Sequence, residues 1–157
     1  MHADLEKFIT NYVTLSPVEM EEITNKFKSK VVKKNDYLLK EGETCKDLVL
    51  VQKGCLRLYY IKEDIEISVW FAFPHSSAIE IYSFISGKPS NYFLQAIADS
   101  EVLYLPKAAL NKLYQSQPKM QEMMRHFWEE VILALVNRFT HRQRARSVPL
   151  HDSVGVA

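Results

Sequence analysis

The segment of residues 79–91 is the part of the chain whose sequence is best suited to bind a small anion. Runs of β-type sequence lie on both sides of it, and its own sequence predicts one short helical turn followed by a loop that contains Gly87. The first backbone N–H groups of such a helix have no intrahelical partners, and the helix dipole adds positive potential there. A structural interpretation competes with this one: Glu80 then only caps the helix or is solvated, and Lys88-Pro89 is only a turn.

Catalytic and metal-binding chemistry finds little support elsewhere in the sequence. Cys45 and Cys55 form neither a disulfide framework nor a metal-ligand pair, and each is expected to pack as a small apolar residue. The five histidines are scattered; His75 precedes the 79–91 segment, but no second ligand stands near it in sequence. The His-x-His motif of cupin-type metalloenzymes is absent, as are nucleophile-elbow, Walker and dinucleotide glycine motifs. We therefore predict no metal site and no catalytic residues.

The overall composition indicates one globular domain. A chain of 157 residues, 47% hydrophobic and 25% charged, is long enough to bury a sizeable core. The formal net charge of +1 gives no whole-chain argument for nucleic-acid binding. The first residues lack the basic-then-apolar pattern of a signal peptide, and no apolar run approaches the length of a membrane span. We therefore expect a cytoplasmic protein.

Two kinds of pattern divide the first two thirds of the chain. Residues 5–28 are predicted to form two helical pieces, and the clearest start is at Ser16, where Pro17 suits the first helical position and Glu19 completes a capping box. Between residues 29 and 106, short apolar runs alternate with turns, which predicts an antiparallel sandwich or jelly-roll barrel. The predicted strands lie at 31–32, 37–39, 48–51, 56–61, 65–71, 92–97 and 102–105. The expected fold class is α+β, an antiparallel β-roll flanked by helices.

The C-terminal part predicts a short helix over 107–114 and a long helix from Pro118 to about Arg142. The long helix carries two neighbouring apolar stripes, one of Met120, Met124, Phe127, Val131 and Ala134, the other of Trp128, Ile132, Leu135 and Phe139. One stripe is enough to dock a helix on a barrel, so the second predicts packing against another copy of the chain. The predicted contacts of this homodimer are Phe127, Trp128, Val131, Ile132, Leu135 and Phe139. The alternative is a single helix buried deeply in its own domain.

The last residues, 143–157, show no apolar periodicity and are predicted to form a disordered tail. Four arginines, Arg138, Arg142, Arg144 and Arg146, cluster around the end of the long helix. A charge run is usually a solvated face, so this chain alone is not expected to bind DNA. The alternative is weak, salt-dependent phosphate binding without sequence preference.

The order of these elements resembles that of a known family. The stretch Leu48–Tyr59, with Gln52-Lys53-Gly54 at its turn, is similar to the strand–glycine–strand signature of the sensor domain of CRP/FNR-type transcription regulators. Residues 84–90 resemble the branch of that family found in Bacteroidetes bacteria, and the likeness extends from about Leu5 to Arg142. The resemblance implies that residues 1–142 form a cyclic nucleotide-binding-like sensor domain. It also implies that the 79–91 segment is the phosphate-binding cassette, the name used for it below.

The cassette departs from the family pattern at two positions. Family members that bind cyclic nucleotides carry Gly-Glu, a short helix, and then an Arg followed by a small residue. Here Glu80 matches the Glu, but Ile79 stands at the Gly position and Ser90 at the Arg position. No arginine lies between Arg57 and Arg125, and a nearby lysine is a point charge rather than a bidentate fork. We therefore predict a degenerate cassette.

The resemblance implies roles for the residues that remain. Glu80 would accept from a ligand hydroxyl, while Lys88 would supply charge. Ser90 and Asn91 would hydrogen-bond an anionic group. The predicted ligand-binding residues are Glu80, Lys88, Ser90, Asn91 and Tyr92, with Leu58 and Tyr60, or else Arg57 and Tyr59, on the wall. The ligand stays open between cAMP, another small nucleotide or anion, and none.

These observations favour a dimeric sensor domain, either a stand-alone protein or a truncated regulator that lacks the family's helix-turn-helix domain. The family implies that a ligand shifts the long helix at the dimer seam. One rival is a ligand-free interaction module, whose roll is filled by its own aromatic residues near the cassette. A second rival, with less support, is a cupin-like metal enzyme.

Overall fold

The computed structural model describes the backbone of residues 2–156 and the side chains of residues 3–141. Within that part the helices are α1 (His2–Thr10), α2 (Pro17–Thr24), α3 (Ile81–Ser86), α4 (Lys107–Ser116) and α5 (Pro118–Val156). The strands are β1 (Lys28–Val32), β2 (Tyr37–Leu39), β3 (Asp47–Lys53), β4 (Leu56–Lys62), β5 (Ile65–Ala72), β6 (Ser77–Ala78), β7 (Phe93–Ala96) and β8 (Ser100–Pro106).

The strands form two four-stranded antiparallel sheets. One has the order β1-β8-β3-β6 and the other the order β2-β7-β4-β5. Sequence neighbours are often separated into different sheets, as in a jelly roll, and buried side chains from both sheets meet between them. The predicted α+β class, a β-roll with N-terminal helices and a long C-terminal helix, is confirmed.

Local sequence signals explain where the elements begin and end. At the start of α2 the Ser16 hydroxyl accepts from the Glu19 N–H at 3.2 Å, and the Glu19 carboxylate accepts from the Ser16 N–H at 2.8 Å. This capping box was predicted from the sequence. Every predicted strand is present, whereas β6, only two residues long, was missed because a periodicity of two cannot be recognised in so short a run.

The turn between β3 and β4 needs its glycine for two reasons. Gly54 has φ +92, a left-handed conformation that costs other residues strain. A Cβ atom there would lie 2.2 Å from the Ser100 Oγ and 2.6 Å from the Asp99 carbonyl oxygen. The strand–glycine–strand signature is thus a consequence of close packing between this turn and the start of β8.

Helix α5 has a buried half and an open half. Met120, Met124 and Phe127 are no more than 2% exposed and pack on the roll. Five later apolar side chains of α5 are at least 46% exposed: Ile132, Leu133, Leu135, Val136 and Phe139. Of the predicted dimer contacts, Phe127 is instead a core residue of its own domain, and Trp128 and Val131 pack partly against that core.

Residues 143–156 of the predicted tail lie within the backbone range of α5, so the structure draws no boundary at residue 142, and residue 157 is outside the described backbone. The side chains of that segment, including Arg142, Arg144 and Arg146, are outside the described residues. The division into a sensor domain and a tail stays a prediction.

Candidate ligand-binding cavity

A cavity of about 570 Å³ lies between the roll, the cassette and α5. Its volume is within the range of small-molecule sites. Three parts of the chain contribute to its lining: Phe8 and Tyr12 of the N-terminal region; Leu58, Val69, Trp70 and residues 75–77, 79–82 and 92 of the roll and cassette; and Phe127, Glu130, Val131, Ala134, Leu135 and Arg138 of α5. Most of this surface is aromatic or aliphatic, so a ligand would be held mainly by apolar contact.

Glu80 is the N-cap of α3. Its carboxylate accepts from the Tyr82 N–H at 3.0 Å and from the Ser83 N–H at 3.2 Å, and the residue is only 3% exposed. These bonds satisfy two of the N–H groups that a helix leaves without intrahelical partners. The helix-capping interpretation of Glu80 therefore describes its contacts, although Glu80 also borders the cavity.

The rest of α3 is held by the cassette loop, by Cys45 and by α4. The Ser83 hydroxyl donates to the Lys88 carbonyl oxygen at 2.6 Å and accepts from the Cys45 N–H at 2.8 Å. At the other end, the Lys107 ammonium group donates to the carbonyl oxygens of Phe84 and Ile85. Both ends of this six-residue helix are thus satisfied by protein groups.

The structure brings only part of the predicted site together. Glu80 and Tyr92 border the cavity, whereas Lys88, Ser90 and Asn91 do not. Lys88 and Asn91 are exposed, and Ser90 is 1% exposed. The Ser90 hydroxyl accepts from the Tyr92 N–H at 2.9 Å, and its backbone pairs with the turn at Gly42-Glu43. The position that holds Arg in the family pattern is therefore a buried structural serine here.

The two faces of strand β4 have different neighbours. Leu58 borders the cavity, and Tyr60, on the same face, makes an edge contact with Tyr92 at 5.6 Å between ring centroids. Arg57 and Tyr59 lie on the outer face, where the guanidinium sits 4.0 Å from the centroid of the Tyr59 ring. Of the two predicted walls, the first contributes Leu58 to the lining, while Tyr60 reaches it only through Tyr92.

Helix α5 supplies contacts to the cavity that the sequence did not predict. Val131, Ala134 and Arg138 recur at helical spacing and line it from the side opposite the roll. The Arg138 guanidinium carbon lies 5.1 Å from the centroid of the Trp70 ring. From the sequence alone, Arg138 belongs to an arginine cluster that is expected to be solvated. Its helical spacing from Val131 and Ala134 could have indicated that it lies on the same face of α5 as they do.

Two titratable groups near the cavity have altered proton affinity. Burial raises the pKa of the Tyr12 hydroxyl above its usual range, and the hydrogen bond that it donates to the Glu130 carboxylate raises it further. Burial also raises the pKa of the Cys45 thiol, which disfavours the reactive thiolate.

In the part of the chain whose side chains are described, no cluster of His, Cys, Asp and Glu could hold a metal ion.

Comparison with known proteins assigns the family. Residues 29–117 match the family model described as cyclic nucleotide-binding domain, and this chain belongs to that family. A search of curated proteins finds no match to the sequence.

Solved structures of the same fold include transcription regulators. A cyclic nucleotide-binding domain from Methylobacillus flagellatus has a TM-score of 0.71 at 17% identity, over 93% of this chain and 82% of that one. The sensor domain of the transcriptional regulator DNR from Pseudomonas aeruginosa has a TM-score of 0.63 at 18% identity, over 92% of this chain and 89% of that one. The catabolite activator protein of Thermus thermophilus has a TM-score of 0.69 at 16% identity, over 84% of this chain and 62% of that one.

These identities are low enough that the likeness establishes the fold and not the ligand. The chain spans about three fifths of the length of the Thermus protein. The fold resembles that of regulatory domains. No helix in the described part of the chain is both long and apolar enough to cross a bilayer.

Proposed function

We propose that this chain is the small-molecule sensor domain of a CRP/FNR-type transcription regulator of the Bacteroidetes-like branch, acting in the cytoplasm where such regulators work. One observation carries the proposal: the same cavity is bounded by the cassette and by α5. A bound molecule therefore contacts both elements at once. Ligand affinity then depends on how α5 lies on the roll, which is the requirement for coupling between ligand and helix.

The effector is not held in the usual manner of a cyclic phosphate. The cassette has Ile79 and Ser90 where Gly and Arg occur in the family pattern, and the Glu80 oxygens are engaged by α3. A buried cyclic phosphate needs a fork of donors to replace its water, and these residues supply none. We infer a degenerate cassette and an effector other than cAMP or cGMP.

The open half of α5 is the proposed homodimer seam. Ile132, Leu135, Val136 and Phe139 follow a three- and four-residue spacing on one face and are 46% to 62% exposed. A contiguous apolar face of this kind is costly in water and is buried readily against its own copy. The ligand-biased change would be a shift of α5 at this seam, passed to a DNA-reading domain or to a partner protein.

A ligand-free interaction module is the second candidate. It requires a roll filled by its own side chains, and the cavity of about 570 Å³ counts against that requirement. The homodimer would be common to both candidates, so the two differ in whether the cavity has an occupant.

Sedimentation equilibrium tests the dimer. We expect the unaltered chain to be a dimer at micromolar concentration and Phe139→Asp to be a monomer. Asn137→Asp, an exposed polar site on the same helix, should leave the dimer intact. A monomeric unaltered chain, or a dimer that survives Phe139→Asp, would refute the proposed seam.

Thermal unfolding with cAMP, cGMP and nucleoside monophosphates tests the cassette. A ligand present at about a hundred times its Kd stabilises by roughly 2.7 kcal/mol, which raises the midpoint by a few degrees. We expect no such shift with cAMP or cGMP at millimolar concentration. A shift that Glu80→Ala abolishes would mean that the cassette works without its arginine, against the proposal.

A further inference from the structure

We propose that the effector is an aromatic molecule with a single acidic group, and that Arg138 is its counter-ion. The inference rests on the proposed function, because it names the ligand class of the same cavity. In the family pattern the anion-binding arginine lies in the cassette, whereas this inference places it on α5.

The charges around the cavity point to this assignment. Among the side chains that the structure describes, up to residue 141, Arg138 is the only lysine or arginine that lines the cavity. Two carboxylates also line it, but each already accepts hydrogen bonds from the protein. Glu80 is bound by two N–H groups of α3, and Glu130 is bound by the Tyr12 hydroxyl. The lining therefore presents one cation with unused donors and no carboxylate without a donor of its own.

Arg138 itself lacks an anionic partner among the side chains that the structure describes. Its recorded contact is with the Trp70 ring, and no described salt bridge includes it. A cation–π contact satisfies none of the five N–H donors of a guanidinium. Those donors form a planar fork that suits a carboxylate, sulfonate or phosphate. Because Arg138 is partly buried at the cavity, a ligand acid that reaches it is also shielded from water.

The other lining residues indicate that the uncharged part of the ligand is aromatic. Six aromatic side chains face the cavity: Phe8, Tyr12, Trp70, Tyr82, Tyr92 and Phe127. Aromatic rings bind other flat rings by stacked or edge contacts in addition to burial of apolar area. A single cation matches a single negative charge, and a second acidic group would face Glu80 or Glu130.

Isothermal titration with a matched pair of probes tests the inference. The probes are 1-naphthoate and its neutral amide, 1-naphthamide, each titrated into the unaltered chain and into Arg138→Gln. We expect naphthoate to bind the unaltered chain more tightly than naphthamide. Arg138→Gln should lower the naphthoate affinity about tenfold or more, as the loss of a charge-assisted hydrogen bond does. The affinity for naphthamide should stay unchanged.

Arg125→Gln is the control, since Arg125 lies on the same helix, exposed and paired with Glu129 at 3.4 Å. It should alter neither affinity. If both probes bind and Arg138→Gln changes neither, the counter-ion assignment is wrong while a ligand-binding cavity stands. If cAMP binds and naphthoate does not, the ligand class and the degenerate cassette are both wrong, but the sensor function stands. If naphthoate, naphthamide and the cyclic nucleotides all fail to bind, both proposals fall.

Discussion

The two walls of the cavity differ in how they use their polar groups. On the cassette side, Glu80 and Ser83 are bonded to backbone groups of the cassette and its neighbours. On the α5 side, Arg138 contacts only the face of Trp70 among the described residues, and the next helical face is apolar and open. The cassette wall is a hydrogen-bond network, whereas the α5 wall carries an arginine without a described anionic partner and an exposed apolar face.

The difference shows how a family motif can be held in shape by the protein's own hydrogen bonds. A short helix between strands must have its ends satisfied by some group, whether ligand or protein. In this chain protein groups bond to both ends of α3. Under the proposal, α5 is then the wall that recognises the ligand.

The largest effect separates the two halves of α5. Phe127→Ala should destabilise the fold by about 3–5 kcal/mol, because the ring is 2% exposed and packs edge-on against Phe8, Tyr12 and Trp128. Phe139→Ala, at 62% exposure, should cost the isolated protomer less than about 0.5 kcal/mol. Urea unfolding at low protein concentration measures both. Equal losses would contradict the division of α5 into a buried and an open half.

The next effect tests whether the cassette wall is structural. Glu80→Ala should lower the ligand-free stability by about 1–2 kcal/mol, because two N–H groups of α3 lose their acceptor. Glu80→Asp should retain most of that stability, since aspartate is also a good N-cap. Chemical denaturation without added ligand measures the free energy of unfolding of both variants. A Glu80→Ala variant as stable as the unaltered chain would show that Glu80 is not needed for the helix.

A smaller effect is expected at the other end of α3. Lys107→Met should cost about 1 kcal/mol, because the Phe84 and Ile85 carbonyl oxygens lose their donor. Lys112→Met, an exposed site on α4, is the control and should cost nothing measurable. Hydrogen exchange of the amides of α3 gives a local readout, and it should speed up only in the Lys107 variant. Equal behaviour of the two variants would count against this link.

The smallest effect lies outside both walls, on the outer face of the second sheet. Burial, together with a 3.0 Å hydrogen bond to the Tyr37 hydroxyl, raises the pKa of Tyr59 to about 12. Because the folded pKa lies above the usual value of about 10, this contribution to stability is complete below pH 10 and is lost as the pH rises through 12. Tyr37→Phe should bring the pKa of Tyr59 part of the way down, with no change in ligand binding. Phenolate absorbance during an alkaline titration measures it, and an unchanged pKa would mean that burial alone sets it.

The fold was predictable because its signals are local and repeated. The capping box at Ser16, the alternating runs of the strands and the two stripes of the long helix each follow from spacing along the chain. The site was less predictable, because its residues come from distant parts of the sequence. Trp70 and Arg138 are far apart along the chain, and only the tertiary fold places them 5.1 Å apart. Ser90 was assigned to a ligand from its place in a motif, whereas its contacts depend on the turn at Gly42-Glu43.

The bonds of Lys107 have a mechanical consequence for the molecule. Lys107 is the first residue of α4, and α4 leads through Gln117 directly into α5. Its ammonium group tethers the last carbonyl oxygens of α3, so a displacement of α3 must either break those bonds or pull on the start of α4. These bonds connect α3, at the cavity, to α4 and so to the first residues of α5. The start of α5 and the cassette are thus joined through α4 by a connection that does not pass through the cavity.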